Sequence, residues 1–413
     1  MSAGDGSGRV LYISHNGLTE PLGRRQVLPY LVGLSARGWR FTVVSFEKAW
    51  TALPEELAKV AEITQAAGIA WRPLRYHRRP PLLSTAYDVV QGWMEGRRCG
   101  AGAILIHARS TVPALMARLL SGTLAKPWIF DLRGLVAEEY ADAGHWRRGG
   151  LRYRATATAE RSLLGSADGL VTLTRRILDR LPDPGTGDSR PTAVIPCSVD
   201  PGVFQPRPEE RRPVRDELGW GDQPALVYSG SLGSWYRLKE MLDFFEVARS
   251  EIAGLRLLLL TPQLTLAEDI VRARRLAGCV ASRSVAADAV PRHLAAVDAG
   301  ICFLGRLASK DASSPTKYGE YLAAGLPVVT NGWIGDARAL AHEPVWILVD
   351  GFEEAQYRQA AAKLKQLLET PETARATARA LALREFAIDT AVDRYDALYR
   401  VVLGRQPRPP GPG

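Results

Sequence analysis

Short apolar runs broken by polar or glycine-rich turns recur through the first half of the chain. Val10–Ser14, Phe41–Phe46, Ala103–His107, Trp128–Leu132, Leu170–Leu173 and Ala193–Ile195 are brief and mostly branched or aromatic, so they predict buried strands. Between the first two, Arg24–Arg37 carries apolar residues at Val27, Leu31 and Leu34, the spacing of one helix face. That is a βαβ unit, and helical stretches separate most of the other runs, so a doubly wound sheet is predicted. After Gln205–Pro213, whose proline and charge density reads as an interdomain linker, the alternation restarts. Strand Ala225–Ser229, helix Lys239–Glu251, strand Leu255–Leu260 and helix Thr265–Ala277 lead to apolar runs at Gly300–Leu304, Pro327–Thr330 and Trp346–Val349. Glu353–Leu403 is mostly helical in pattern, and Leu181–Arg190 reads as a loop.

Composition narrows this picture without deciding it. A chain of 413 residues exceeds one ordinary core and divides naturally into two domains. No apolar run reaches the roughly 18 residues of a membrane helix, and the first residues lack an apolar leader, so a cytoplasmic protein is expected. Four scattered cysteines without C-x-x-C spacing predict reduced, mostly buried thiols. The net charge of +9 suits anionic substrates or an anionic membrane surface. No zinc-finger spacing and no basic run interleaved with aromatics accompanies it, so no nucleic-acid partner is expected. Tyr76–Pro81 (YHRRPP) and Arg147–Arg154 (RRGGLRYR) are candidate basic surfaces for lipid or an acidic acceptor; a solvated face or loop is the favoured reading of each.

The richest segment is Ser313–Gly332, SSPTKYGEYLAAGLPVVTNG. Ser314 suits a helix N-cap, Pro315 the first helical position and Gly325 the stop, and a buried strand follows at once. The start of that helix then faces the carboxyl edge of a sheet, where ligands bind in such folds. Ser313, Ser314, Thr316, backbone N–H groups and Lys317 would converge there on a phosphate or diphosphate, and Glu320, one turn on, could accept hydrogen bonds from ribose hydroxyls.

This run resembles the donor signature of glycosyltransferase family 4, retaining sugar-nucleotide transferases of GT-B architecture. Glu20–Pro29 (EPLGRRQVLP) is similar to the family's N-terminal glycine loop and Phe130–Glu139 (FDLRGLVAEE) to its acceptor-side strand and loop. Val194–Asp200 (VIPCSVD) is similar to the segment closing the first domain, and Gly230–Tyr236 (GSLGSWY) to the glycine loop of the second. The resemblance implies an α/β fold of two facing Rossmann-like domains with an interdomain cleft: an acceptor domain over 1–205, a donor domain over 206–385, a helix over 386–404 returning to the first domain, and a disordered tail over 405–413. It also implies donor contacts from Gly23, Gly230, Ser231, Gly233 and Lys239 beside the SSPTK residues. Two departures stand out: Ser231 replaces the usual arginine after the loop's first glycine, and Ala312 replaces a usual glutamate, leaving the sugar contact to backbone N–H groups of Ser313 and Ser314.

On the acceptor side the resemblance points to Asp131, Arg133, Glu138, Glu139 and His107. Arg133 stands where many members carry a histidine, so it is assigned an electrostatic or positioning role; a structural ion pair with Asp131 is the competing reading. Lys317 is expected to offset leaving-group charge and Glu320 to hold the ribose. His15 ends a strand and could face the cleft, and Trp235 or Tyr236 could stack on a sugar or base. The expected activity is sugar transfer from a nucleoside-diphosphate sugar to a hydroxyl of a glycan, a lipid-linked acceptor or a small molecule, with no cofactor and no metal. The expected location is cytoplasmic, with the inner membrane face as a candidate. A sugar-nucleotide epimerase of the same fold and a noncatalytic nucleotide-sugar-binding subunit are the alternatives.

Overall fold

A computed structural model describes residues 8–181, 190–233 and 235–404. The tail over 405–413 and most of the Leu181–Arg190 loop lie outside the described residues. The chain divides into two compact units, one running to Pro196 and resuming at Ile388, the other spanning Cys197–Ala387.

The first unit holds seven strands: β1 (Arg9–Ser14), β2 (Arg40–Glu47), β3 (Ala70–Arg75), β4 (Leu105–Arg109), β5 (Trp128–Leu132), β6 (Gly169–Thr172) and β7 (Thr192–Val194). They pair in parallel in the order β3-β2-β1-β4-β5-β6-β7. The second unit repeats the plan with β8 (Ala225–Ser229), β9 (Arg256–Leu260), β10 (Val280–Arg283), β11 (Ala299–Cys302), β12 (Val328–Asn331) and β13 (Trp346–Val349), ordered β10-β9-β8-β11-β12-β13. In both, the order reverses beside the first strand, which places a crevice at the carboxyl ends of β1/β4 and of β8/β11.

The central strands are fully buried, as their unbroken apolar runs require. Two strands escaped the sequence pattern, β3 and β10, and both are sheet edges. Residues of β3 are largely exposed, and Pro73 and its arginines blunt the open edge, so it lacks a buried strand's apolar run.

The helix expected over Arg24–Arg37 is two helices, Pro21–Gln26 and Leu28–Ala36, broken at Val27 because Pro29 fits only a new first turn. The expected linker Gln205–Pro213 enters a helix, Pro208–Leu218: its proline starts the helix, and Glu209 and Glu210 favour the positive end. Within the second unit that helix is pinned through Arg211 and Arg215, both bonded to Asp298 at 2.7 and 2.9 Å.

The last helix, Ile388–Gly404, belongs to the first unit. Its Val392 fills the space that the missing side chain of Gly33 leaves, and Asp396 accepts from Trp39 Nε1 at 2.7 Å. The four cysteines are free; Cys279 and Cys302 are buried, and Cys99 and Cys197 half-buried.

Candidate functional site

In the second unit the crevice at β8/β11 is built around Lys317. The helix that carries it runs Thr316–Ala323 and ends in a Schellman motif, with Gly325 at φ +81°, Gly325 N bonded to Leu322 O and Leu326 N to Tyr321 O. Its start falls one residue later than expected: Pro315 takes the cap position in an extended conformation, and the Ser314 hydroxyl accepts from Cys197 N at 3.3 Å. Thr316 opens the first turn half-exposed, and Ser313, also half-buried, reaches Ser309 O. Lys317 and Glu320 are both buried one turn apart.

The Lys317 ammonium lies 3.8 Å from the ring centre of Tyr236 and 5.3 Å from that of Tyr228, sandwiched by residues flanking the glycine loop. Burial works against its charge, and the Tyr236 phenol, Cys302 and Glu320 outweigh burial, so its pKa stands above the ordinary lysine value. Gly230, at φ +132°, makes this approach feasible: a Cβ there would sit 2.8 Å from Lys317 Nζ. Gly233 is also left-handed, at φ +85°, and Ser231 and Gly233 are exposed. The loop's foot is fixed by Tyr321, whose hydroxyl accepts from Ser229 N at 2.7 Å; Gly300 leaves room for the Tyr321 ring, which a Cβ would meet at 2.1 Å. The structure thus brings Gly230, Lys317 and Glu320 together. Lys239 is placed elsewhere: it is exposed and pairs with Asp243 at 3.1 Å, the ordinary role of a helix lysine.

The first unit treats its corresponding positions differently. The amides after β1 are occupied by the protein's own carboxylates. Gly17 N donates to Glu20 (2.8 Å), while Leu18 N (2.8 Å), Thr19 N (3.1 Å), Thr19 Oγ1 (2.6 Å) and Ser45 Oγ (2.6 Å) all donate to Glu47. Gly23 corrects the sequence reading: it lies inside the Pro21–Gln26 helix, and the space where its side chain would stand is filled by Gly17 O and Leu18, so it serves backbone packing and not a phosphate.

At the ends of β4 and β5, Asp131 is wholly buried, with Arg133 Nε at 2.7 Å, the Tyr395 hydroxyl at 3.0 Å, His107 Nε2 at 3.2 Å and Arg109 at 3.5 Å. Burial alone would raise its pKa; Arg133, His107 and Arg109 reverse that and hold it well below the usual carboxylate range. The ion pair weighed for Arg133 is therefore present, and Arg133 also donates to Tyr395 of the last helix. His107 is buried between Asp131 and the Tyr399 hydroxyl (2.6 Å), and burial pushes its pKa below the ordinary value. Expected at an acceptor surface, His107 instead ties the sheet to that last helix. Glu138 and Glu139 are half-buried in the first turn of the helix Val136–Asp142. Glu138 meets Arg148 (2.5 Å) and the Tyr153 hydroxyl (2.6 Å), and Glu139 lies against Gly134. The start of this helix is capped by buried Glu160, which accepts from Val136 N at 2.7 Å.

Residues 23–198 match the family model described as a glycosyl transferase 4-like domain. No curated protein sequence matches the chain. Among solved structures, the chain is similar to HepE from Anabaena in complex with UDP and glucose, at 14% identity and TM-score 0.68, covering 95% of this chain and 100% of that one. It is similar also to sucrose-phosphate synthase from Thermosynechococcus elongatus, at 16% identity and TM-score 0.68 over 96% and 99% of the two chains. WaaG, a glycosyltransferase involved in lipopolysaccharide biosynthesis, aligns at 17% identity and TM-score 0.64 over 96% and 100%. The two-sheet fold is the GT-B fold of these structures.

Within the first unit, His15 directly follows β1, at the strand end where it was expected, with its Nε2 3.3 Å from buried Asp88, a carboxylate that also bonds His77 Nδ1 at 2.7 Å. Asp88, Glu47 and Glu160 organise this domain, and sequence pattern gave no sign of any of them, because each finds its partners across the fold. In the second unit the rings of Trp235 and Tyr236, read above as candidates for stacking on a sugar or base, face Lys310 and Lys317, with Lys310 Nζ 3.9 Å from the Trp235 ring centre.

Proposed function

We propose that this glycosyltransferase moves a sugar from a nucleoside-diphosphate sugar to a hydroxyl acceptor with retention at the anomeric carbon. The observation that carries the reading is Lys317: a buried ammonium, its pKa held above the ordinary lysine value, at the first turn of a helix and pressed against a glycine whose missing side chain leaves room for the ammonium itself. Lys317 and the N–H groups of its own helix start offset the diphosphate charge as it departs, so protein groups do the work that a metal ion often does. Glu320 accepts hydrogen bonds from the ribose hydroxyls. Ser313, Ser314 and Thr316 edge the diphosphate, and Ser231 and Gly233 stand on the exposed side of the loop.

The reaction breaks the bond between the anomeric carbon and the phosphate oxygen. The acceptor oxygen bonds that carbon on the same face, and its proton passes to the departing phosphate oxygen, so no protein nucleophile is required. Glu138 and Glu139 are the acceptor contacts in this reading, whereas Asp131, Arg133 and His107 hold the strand ends that present them.

HepE has been solved with UDP-glucose, which makes that donor the first to try. The test incubates the chain with UDP-, GDP- or dTDP-glucose and a panel of glycan, lipid-linked and small-molecule acceptors, in excess chelator. Product with the donor's anomeric configuration by NMR is expected. Inverted product, or activity that only an added divalent metal restores, overturns the corresponding part. Glu320→Ala should weaken the thermal shift given by the best nucleoside diphosphate; an unchanged shift removes the ribose assignment.

A further inference from the structure

The helix Pro81–Cys99 of the first unit is built inside out. The face it turns to the protein carries Ser84, Asp88, Gly92 and Gly96 at every fourth position, all buried. A Cβ on Gly92 would lie 2.4 Å from the Met116 sulfur, and one on Gly96 2.6 Å from Leu120, so the small residues let the helix press close. Its large apolar residues point the other way. Leu83, Tyr87, Val90 and Met94 follow helical spacing along the outer face, and with Leu82 they are between 51% and 75% exposed.

Both ends of this face are basic. Arg75, Arg78 and Arg79 precede the helix and are exposed; Arg97 and Arg98 close it, Arg98 paired with Glu95 at 2.9 Å. The leading arginines are held in place because His77 clamps onto the helix through Asp88, by its backbone N at 3.2 Å and its Nδ1 at 2.7 Å. Aromatic rings border the same end: His77 packs on Tyr87 at 4.9 Å, and exposed Trp50 meets Tyr76 at 6.4 Å. Trp and Tyr favour the boundary between water and hydrocarbon.

We propose that this face is a docking surface for an anionic lipid bilayer, with the helix lying in the interface plane and its arginines on lipid phosphates. A second copy of the chain fits less well, because opposed faces would set like-charged ends against each other. No helix among the described residues is long and apolar enough to cross a membrane, so the contact is peripheral.

The test is co-sedimentation of the full chain with vesicles of phosphatidylcholine alone and of phosphatidylcholine mixed with phosphatidylglycerol. Binding to the mixed vesicles only, weakened by salt, is expected. The variant L83S/V90S/M94S alters exposed positions and should melt as the wild type does while binding at least about ten-fold more weakly. R78E/R79E should lose at least about five-fold per arginine. Three results overturn the proposal: no preference for anionic vesicles, undiminished binding in both variants, or a concentration-dependent dimer by light scattering that L83S/V90S/M94S abolishes.

Discussion

Replacing Lys317 by methionine isolates the charge on which the donor site depends. Methionine keeps most of the length and apolar packing between Tyr228 and Tyr236, so the substitution removes the ammonium and little else. A hydrogen bond to a charged group is worth about 1.5–3 kcal/mol, and this one is made at a buried position, so nucleoside-diphosphate affinity should fall about 10- to 150-fold. The rate of transfer should fall further, by about 10²–10³, because charge on the leaving group peaks in the transition state. Fold stability should fall, since the interactions with Tyr236 and Glu320 that outweigh the burial of this cation are lost with the charge. Calorimetric titration with UDP, GDP and dTDP, initial rates with the preferred donor, and a thermal melt measure the three quantities. A folded variant that binds every nucleotide within about three-fold of the wild type refutes a diphosphate at Lys317.

Gly300→Ala drives a methyl into the Tyr321 ring and should cost about 1–3 kcal/mol in denaturant unfolding; by displacing the hydroxyl that holds Ser229 N, it should also weaken nucleotide binding. Stability lost without any change in binding would uncouple Tyr321 from the loop. Asp131→Asn leaves Arg133 and Arg109 buried beside a neutral amide and should destabilise by about 3–5 kcal/mol, read from chemical denaturation; a loss under about 1 kcal/mol would mean the arginines find other compensation. His107 has a folded pKa below its unfolded value of about 6.5, so the stability of its neutral form is complete above that pH and is lost as pH falls toward the folded pKa. Melting temperature should therefore decline from about pH 6.5 downward, and His107→Gln should flatten the decline. Asp131, depressed in the folded state, contributes above its unfolded pKa of about 3.9 and loses that contribution only in stronger acid. An identical slope in both proteins would contradict the assignment to His107.

Central strands and the donor helix were legible because their signals are local. An apolar run that must be buried on both faces announces itself, as does a helix bounded by Pro315 and Gly325. Edge strands were not, since β3 is largely exposed and β10 is four residues long, and both carry arginine. Pro208 misled in an instructive way: proline density reads as linker, yet proline at a first turn followed by glutamates starts a helix. The arginine-rich YHRRPP was visible as a basic segment. Its link to an apolar helix face was not, because outward leucines and inward glycines in Pro81–Cys99 become distinguishable only once the helix is placed on its sheet. The candidate residues around Lys317 lie in one stretch of chain, but Tyr228 and Gly300 are brought beside that helix from other strands. His107 failed as an acceptor contact for a similar reason: a strand end looks exposed until the last helix of the chain covers it.

The carboxylate of Glu47 bears on stoichiometry. Both sheets have the same strand order beside their first strand, so each offers a turn of backbone amides to an incoming anion. In the first unit that berth is taken: a ligand there would have to evict a side chain gripped by four donors and leave it stranded in a buried place. A saturating nucleotide should accordingly fill one seat per chain, the one beside Lys317.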